Sequence, residues 1–319
     1  MELPITGPAY EHQSQDVNYQ RCVNQYPISP GPEGRGRATL IPTRGSTLIT
    51  DLGTDSVRAL YAIDGTILTV VGNSLYKLDI NTRTNTLTSS TLIGTLTTTI
   101  GTVKMADNPT QVIIVDGSST GYIYTKATST MAAISDGDFL GSDDVVFLDG
   151  YFICNNPGTG QFYTSDLNDG TSWDALAIAT AESGPDDIVG LSSSKGELWI
   201  IGDKTTEIWY NAGNAEGMPL SPRVGLEIQI GCSAPDSIVR VDDLLIWLDN
   251  RGFIVQSGVS TYTRDNNSAY ALQIIATEAI TAEISSYLVS SDAIGMSYVD
   301  RGHLMYQITF PSEEKTWVY

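Results

Sequence analysis

Short apolar runs alternate with turn residues along most of the chain, and the same order of runs and turns occurs six times. The first occurrence has an apolar run at Arg58–Ile63, the turn Asp64–Gly65, a second run at Thr66–Val71, the turn Gly72–Ser74 and a third run at Leu75–Leu78. Asp-Gly tolerates positive φ at both central positions of a type I′ turn. The first two runs of a repeat are therefore predicted to form a tight antiparallel hairpin.

The repeats recur at a nearly constant spacing. Their first turns fall at Asp64, Asn108, Asp149, Lys195, Asp242 and Arg301. Successive turns are thus 44, 41, 46, 47 and about 59 positions apart. Strand-rich repeats of this length are typical of a β-propeller, whose blades stack around an axis because none can bury both faces alone. We predict an all-β fold with about six antiparallel blades in residues 51–319.

The two ends of the chain depart from the repeat. The sixth repeat stops after its third run, Lys315–Tyr319, so its blade is expected to be incomplete here. Either the N-terminal arm supplies the missing strand or, as we favour, the final blade, with any C-terminal domain, continues beyond residue 319. Residues 1–50 contain several Pro and Gly breakers and predict an extended N-terminal arm. Its apolar and aromatic side chains suit contact with another surface. The predicted interaction residues are Tyr19, Val23, Tyr26 and Ile28.

One segment has helical rather than strand periodicity. Apolar residues recur at helical spacing in Ala276–Ile284, which predicts a short helix inside the fifth repeat. Three tryptophans, Trp199, Trp209 and Trp247, lie in apolar runs and are predicted to pack between blades rather than to stack on sugars.

The charge of the chain is strongly negative. Its 37 Asp and Glu residues against 17 Lys and Arg give a net charge of −20. Tight binding to nucleic acid or to an anionic membrane depends on clustered Lys and Arg, so the composition argues against both. Acidity also keeps proteins soluble, and composition alone does not separate that role from a surface that lets DNA pass without binding it.

The cysteines and the N-terminus indicate a reducing compartment. Cys22, Cys154 and Cys232 are widely spaced and form no C-x-x-C motif, so we predict reduced core residues. The N-terminus lacks a basic start and an apolar core of a signal peptide, and no apolar run approaches the length of a membrane span. We expect folding in a cytoplasm.

Candidate chemistry is sparse. Adjacent carboxylates occur at Asp143–Asp144, Asp186–Asp187, Asp242–Asp243 and Glu313–Glu314. Neighbours in a strand point to opposite faces, so these are predicted to be solvated acids at turns and strand starts. Asp166–Thr171 resembles part of a calcium loop but lacks its final glutamate, which favours a turn. With only His12 and His303 besides, we predict no catalytic, cofactor-binding or metal-binding residue.

Several longer runs carry a specific resemblance. They are Asp16–Pro27, Gln161–Leu176, Ala181–Leu191, Gly196–Trp199, Thr205–Asn211, Ser290–Met296 and Phe310–Tyr319. In these runs the chain resembles the packaged-DNA stabilisation proteins (tail accessory factors) of short-tailed bacteriophages, and the resemblance extends over essentially the whole sequence.

That resemblance implies a non-enzymatic part of the virion tail, assembled in the host cytoplasm. It implies a tail hub, a homo-oligomeric ring that is a hexamer in this family, attached below the portal and its adaptor ring. The hub would close the channel after packaging and would contact tailspikes or fibres and a tail needle or nozzle. Packaged DNA would pass through the lumen without tight binding, and neither a cofactor nor a membrane would be involved.

Two other functions remain compatible with a propeller. One is a glycosidase or sialidase acting on host glycans, and the other is a general scaffold for protein interactions. A propeller sialidase needs clustered arginines, whereas Arg35, Arg37, Arg44 and Arg251 lie in the arm or in turns without a repeating phase.

Overall fold

Six antiparallel sheets follow one another along the chain in the computed structural model, which describes residues 10–11, 19–20, 23–28, 39–181, 184–214, 216–260 and 269–319. Within each sheet the strands are hydrogen-bonded in the order in which they occur in the sequence. First strands of consecutive sheets contact one another, so the first strand of each sheet is the innermost. The predicted six-bladed β-propeller is thereby confirmed, and each sheet is a blade.

The strands have the following bounds. Two short hairpins precede the propeller, with β1 and β2 at Tyr10–Glu11 and Tyr19–Gln20 and β3 and β4 at Gln25–Ile28 and Thr39–Pro42. Blade 1 contains β5 to β8 at Val57–Ile63, Thr66–Val71, Ser74–Asn81 and Thr86–Thr95. Blade 2 contains β9 to β12 at Lys104–Asp107, Gln111–Val115, Tyr122–Thr125 and Thr130–Ala133. Blade 3 contains β13 to β16 at Val145–Leu148, Tyr151–Asn155, Gln161–Asp166 and Asp169–Thr180.

The remaining blades are built in the same way. Blade 4 contains β17 to β20 at Ile188–Ser194, Glu197–Gly202, Thr206–Asn211 and Leu220–Pro222. Blade 5 contains β21 to β24 at Val239–Val241, Leu244–Leu248, Ile254–Ser260 and Ala269–Ile274. Blade 6 contains β25 to β27 at Ile294–Asp300, His303–Phe310 and Lys315–Val318. With three strands among the described residues, blade 6 is incomplete, as predicted.

The turns follow from their residues. Asp149 and Gly150 have φ values of 49° and 93°, the left-handed geometry that a type I′ turn requires, and they bring Leu148 opposite Tyr151. The first turn of blade 2 is stabilised differently. The side-chain oxygen of Asn108 accepts the backbone N–H groups of Thr110 and Gln111 at 2.8 and 2.7 Å. The carboxamide thus stabilises a turn that lacks the Gly found in the first turns of blades 1, 3, 4 and 6.

The helix α1 occupies Glu278–Ser285, two residues later at its start than the sequence pattern predicts. Thr277 caps it, because its side-chain oxygen accepts the N–H of Ile280 at 3.4 Å. Ile284 is its buried residue and joins the core between blades 5 and 6. In the described part of the chain no helix is long and apolar enough to cross a bilayer.

The core lies between blades. Five hydrophobic clusters each join one blade to the next, from blades 1 and 2 to blades 5 and 6. Trp199 and Trp247 pack edge to face between blades 4 and 5 with ring centres 6.5 Å apart. Trp209 packs on Phe162 between blades 3 and 4 at 4.9 Å. The prediction that these three tryptophans are core residues is confirmed.

Candidate functional site

A short helical segment before blade 5 lies at the centre of the ring. Pro235–Ser237 form a single 3-10 turn, and we call Pro235–Ile238 the axial plug. Its Asp236 carboxylate receives the Lys104 ammonium at 2.7 Å and the Thr102 hydroxyl at 2.6 Å. Lys104 is on the inner strand of blade 2, the blade opposite blade 5 in a six-membered ring, so this contact spans the axis.

The plug contacts other blades as well. Tyr306 of blade 6 donates its hydroxyl to the carbonyl oxygen of Ser237 at 3.0 Å. On blade 4 a Cβ at Gly190 would lie 2.4 Å from Ile238 Cδ1, so the end of the Ile238 side chain packs directly against the backbone of Gly190. The Ser237 hydroxyl in turn accepts the N–H of Leu248 in blade 5 at 3.0 Å. Side chains from opposite sides of the ring therefore converge on one turn.

Asp144 is a buried carboxylate next to this network. Its two oxygens accept the N–H groups of Val145 at 2.9 Å and of Leu191 at 2.7 Å, so it links blades 3 and 4. Burial raises its pKa to about 6, and the positive charge of Lys104 opposes that rise. Burial alone would lower the pKa of Lys104, yet the carboxylates of Asp144 and Asp236 outweigh it and raise that pKa.

One residue of the first acid pair is buried rather than solvated. Asp143 is exposed as expected, but the prediction is wrong for Asp144, which is 8% exposed. Both residues precede β13, and Asp144 is buried because Leu191 of blade 4 packs against it and donates its N–H to the carboxylate. Asp242 and Asp243 are exposed at the turn of blade 5.

In each of the two remaining pairs one acid accepts backbone hydrogen bonds, whereas its neighbour, Asp187 or Glu314, is exposed. Asp186 Oδ2 receives the N–H groups of Lys204 and Thr205 at 2.9 and 2.8 Å. Glu313 Oε1 receives the N–H of Leu288 at 2.8 Å. In the calcium-like segment, Asp169 Oδ1 binds the N–H of Thr171 at 2.9 Å, as a turn requires. Among the described residues no group of His, Cys, Asp and Glu is arranged to hold a metal ion.

The described cysteines are buried, whereas the described histidine is exposed. Cys154 and Cys232 are buried free thiols whose pKa values burial raises, that of Cys232 to about 11. Such thiols are inert core residues. His303 is an exposed residue of β26, while Cys22 and His12 lie outside the described residues.

The N-terminal candidates are distributed as follows. Tyr26, on β3, donates its hydroxyl to Asp300 Oδ2 of blade 6 at 3.1 Å, and its ring meets the His303 ring edge to face at 6.0 Å. Val23 is 63% exposed. The backbone of Tyr19 lies in β2 and that of Ile28 at the end of β3, and their side chains are outside the described part. The segment expected as an extended arm contains the two hairpins, and β3 pairs with β4 rather than with an open blade edge.

The axial plug was not singled out by sequence reasoning. It lies in the long connection between Pro222 and Val239, where no apolar periodicity marks a function. Pro235 at the start of the 3-10 turn is the one local signal.

Comparison with solved structures gives the following likenesses. The chain is similar to the Dos1 propeller, with 13% identity and a TM-score of 0.51 over 85% of this chain and 70% of that one. It also matches the computationally designed Ika4 protein, with 12% identity and a TM-score of 0.40 over 52% and 99% of the two chains. A third match is PorZ of Porphyromonas gingivalis, with 10% identity, a TM-score of 0.43 and coverage of 89% and 35%. At these identities the Dos1 likeness shows a propeller fold and nothing more.

Sequence comparison gives a family. The profile of the phage-stabilisation family, described as bacteriophage P22 Gp10, beta-propeller, matches residues 1–319. No curated protein matches the sequence of the chain.

Proposed function

Because this chain belongs to the bacteriophage P22 Gp10 beta-propeller family, it is a phage structural protein, and we propose that it is the hub of a short phage tail. In this proposal copies of the chain form a ring, a hexamer, below the portal and its adaptor ring. The ring closes the exit channel after packaging and anchors tailspikes or fibres and a tail needle or nozzle. The protein acts without catalysis or a cofactor, is assembled in the host cytoplasm and ends in the virion tail.

The contact between Lys104 and Asp236 is the observation that carries the mechanism. It spans the axis of the propeller at 2.7 Å, and Tyr306 and Ile238 add further contacts at the same place. A strand of DNA cannot share that space. We therefore propose that the DNA channel lies between copies of the chain and that each propeller serves as a rigid block in the channel wall.

The net charge of −20 supports a channel that repels phosphate. A ring of six copies would carry 6 × −20, or about −120. Such a ring would retain DNA by blocking its exit rather than by gripping phosphates. Basic surfaces on the adaptor and spike proteins would offset part of the charge.

Genome retention tests the hub. Purified protein is added to DNA-filled heads that carry portal and adaptor but no tail, and nuclease-sensitive DNA release is measured. We expect saturable protection and, by electron microscopy, a ring at the portal vertex. Heads that bind the protein and still lose their DNA would contradict the retention role, and heads that bind no protein would contradict the hub itself.

A gel-shift titration tests the repulsive channel. The isolated protein is expected not to shift duplex DNA at physiological salt, since affinity of that kind depends on Lys and Arg contacts. Micromolar binding that weakens steeply with salt would refute this part of the proposal.

The arm is proposed to contribute to assembly. Of the two arm candidates whose side chains are described, Tyr26 is already engaged by blade 6, whereas Val23 is exposed and apolar and is available to a neighbouring copy or the adaptor. Val23→Asp should weaken ring formation on size-exclusion chromatography without changing the melting temperature. Val224→Asp, at a more exposed apolar site in the connection after blade 4 (95% against 63% for Val23), is the control. Equal assembly of both variants would rule out this role of Val23.

A further inference from the structure

The junction between blade 6 and blade 1 differs from the other five. Each of the five hydrophobic clusters joins consecutive blades, and none of them combines residues of blade 6 with residues of blade 1. A propeller normally closes its ring by sharing strands between the chain ends in one blade. Here the described part of blade 6 has β25, β26 and β27 alone, so no such sharing occurs within it.

Polar contacts from the β3–β4 hairpin are found at this junction instead. Asp300 ends β25 at the hairpin turn of blade 6 and is 8% exposed. Its Oδ1 receives Arg44 Nε at 2.8 Å and its Oδ2 receives the Tyr26 hydroxyl at 3.1 Å. Each carboxylate oxygen thus has its own donor, and hydrogen bonds to a charged and largely buried acceptor are stronger than neutral ones.

Both donors belong to one structural unit. Tyr26 is within β3, Arg44 follows β4, and the two strands are paired from Gln25 opposite Pro42 to Ile28 opposite Thr39. A further bond, from Thr43 N to the carbonyl oxygen of Asn24 at 2.9 Å, extends the pairing up to Arg44. The hairpin therefore presents both donors to Asp300 as a pre-formed pair.

The chain then continues to blade 1. Gly72 in blade 1 donates its N–H to the carbonyl oxygen of Ser56 at 3.0 Å. The stretch between Arg44 and Ser56 is thus fixed to blade 6 at one end and to blade 1 at the other. This connection, which we call the tie, holds blade 6 and blade 1 together only while Tyr26 and Arg44 remain hydrogen-bonded to Asp300.

Behind the tie lies an apolar surface, which we call the seam face and define as Ile294, Met296, Tyr298 and Met305. Tyr298 pairs with Met305 across β25 and β26, so these side chains share the side of the blade that faces away from blade 5. Ile294 and Met296 are about half exposed, while Met305 is 7% exposed. Thr43 and Arg44 border a groove of about 380 Å³ over this surface.

We propose that the β3–β4 hairpin is a latch that closes the propeller ring through Asp300, and that its release separates blade 6 from blade 1 and uncovers the seam face. The junction would then be the weakest of the six, because hydrogen bonds to one carboxylate take the place of a buried apolar cluster. Local opening of a structure begins where few apolar contacts must be lost. This proposal concerns the single chain and does not depend on the tail-hub function.

The experiment measures opening at Met305. Asp300→Asn removes the negative charge while preserving the size of the side chain, and Met305 oxidation by dilute peroxide is followed by peptide mass spectrometry. We expect oxidation to be about tenfold faster, the change that follows from weakening a charged hydrogen bond. Asp149→Asn is the matched control, since Asp149 sits in the corresponding turn of blade 3 and is exposed. Met105, which packs between blades 1 and 2, is the internal reference.

Two milder variants test whether both hydrogen bonds to Asp300 hold the hairpin in place. Tyr26→Phe and Arg44→Gln each remove one donor, and each is expected to speed Met305 oxidation by less than Asp300→Asn does. Hydrogen exchange should rise in β25, β26 and β5 and stay unchanged in blades 3 and 4. Oxidation of Met305 at the wild-type rate in all three variants would overturn the latch. Equal acceleration at Met105 would also overturn it, because Asp300 would then support the whole fold rather than one junction.

Discussion

Lys104 and Asp236 come from opposite sides of the ring and form an ion pair at 2.7 Å. The hydrophobic clusters that hold the propeller together join neighbouring blades, whereas this ion pair and the Thr102–Asp236 hydrogen bond join blade 2 to the plug that precedes blade 5. An ion pair across the axis restrains the distance between opposite blades, whereas stacking restrains the distance between neighbouring blades. The ion pair also fills the space that in many propellers is open.

The strength of this ion pair can be measured by a double-mutant cycle. Lys104→Met and Asp236→Asn, singly and together, are expected to give a coupling free energy of about 1–2 kcal/mol in urea unfolding, since both side chains are about three-quarters buried. The control cycle is Lys77 with Asp79, a pair on one strand at 3.6 Å. Its coupling should stay below about 0.5 kcal/mol. Equal coupling in the two cycles would mean that the central pair is no more than a surface contact.

Asp144 predicts a specific pH dependence. Its pKa is about 6 in the folded protein and about 3.9 in an unfolded chain, so the folded state binds the proton more tightly. The stability that this group contributes is therefore fully present below pH ~4 and is lost as the pH rises through about 6. The loss is at most roughly 3 kcal/mol for a difference of about two pKa units.

The Asp144→Asn variant separates the contribution of this carboxyl group from the rest of the pH dependence of stability. Asp144→Asn should unfold more easily at every pH, because an amide cannot accept the N–H groups of both Val145 and Leu191. The difference between the two proteins should shrink as the pH rises from 4 to 7, since the variant lacks the titrating group. Urea unfolding at several pH values measures this, with Asp242→Asn at an exposed turn as the control. Parallel curves for wild type and Asp144→Asn would contradict the assignment.

Trp247 tests the packing between blades 4 and 5. It is fully buried, and its indole N–H reaches the carbonyl oxygen of Gly231 at 3.1 Å. Trp247→Ala should lower the free energy of unfolding by about 3–5 kcal/mol, the usual cost of removing a buried aromatic ring. Leu176→Ala, at a site that is 74% exposed, should change it by less than about 0.5 kcal/mol. A wild-type melting temperature for Trp247→Ala would show that this ring is not part of the core.

Arg58 fixes the connection between blades 1 and 2. Its guanidinium donates to the carbonyl oxygens of Gly101 at 2.6 Å, Gly72 at 2.9 Å, Thr98 at 2.8 Å and Ile100 at 2.7 Å, and to the Thr98 hydroxyl at 2.8 Å. These bonds use the whole planar array of donors, which a lysine cannot reproduce.

Arg58→Lys should therefore destabilise the protein by about 2–4 kcal/mol, because the buried carbonyl of Gly72 and the partly buried carbonyls of the connection lose donors that a single ammonium cannot replace. Arg83→Lys, in an exposed turn of blade 1, is the matched control and should be neutral. Thermal unfolding compares the two. A neutral result for Arg58→Lys would mean that water replaces the lost donors without cost.

The sequence by itself determined the blades. Alternating apolar runs with Asp-Gly turns specify hairpins locally, since the side-chain period of a strand and the left-handed turn depend on adjacent residues alone. The repeat then implies stacking, because a single blade leaves both faces exposed. The local apolar pattern also predicted the burial of three tryptophans, Trp199, Trp209 and Trp247. It placed the start of α1 at Ala276, two residues before its position in the structure.

Only the tertiary structure decided which polar residues meet. Thr102 and Asp236 are 134 positions apart and form a hydrogen bond because the ring brings opposite blades to one axis. Asp143 and Asp144 look alike in the sequence, yet one is solvated and the other buried, since the ring places Leu191 of blade 4 against Asp144. The bond between Tyr26 and Asp300 likewise depends on where the last blade ends relative to the first. Local patterns carry no information about such distances, because closure of the ring sets them.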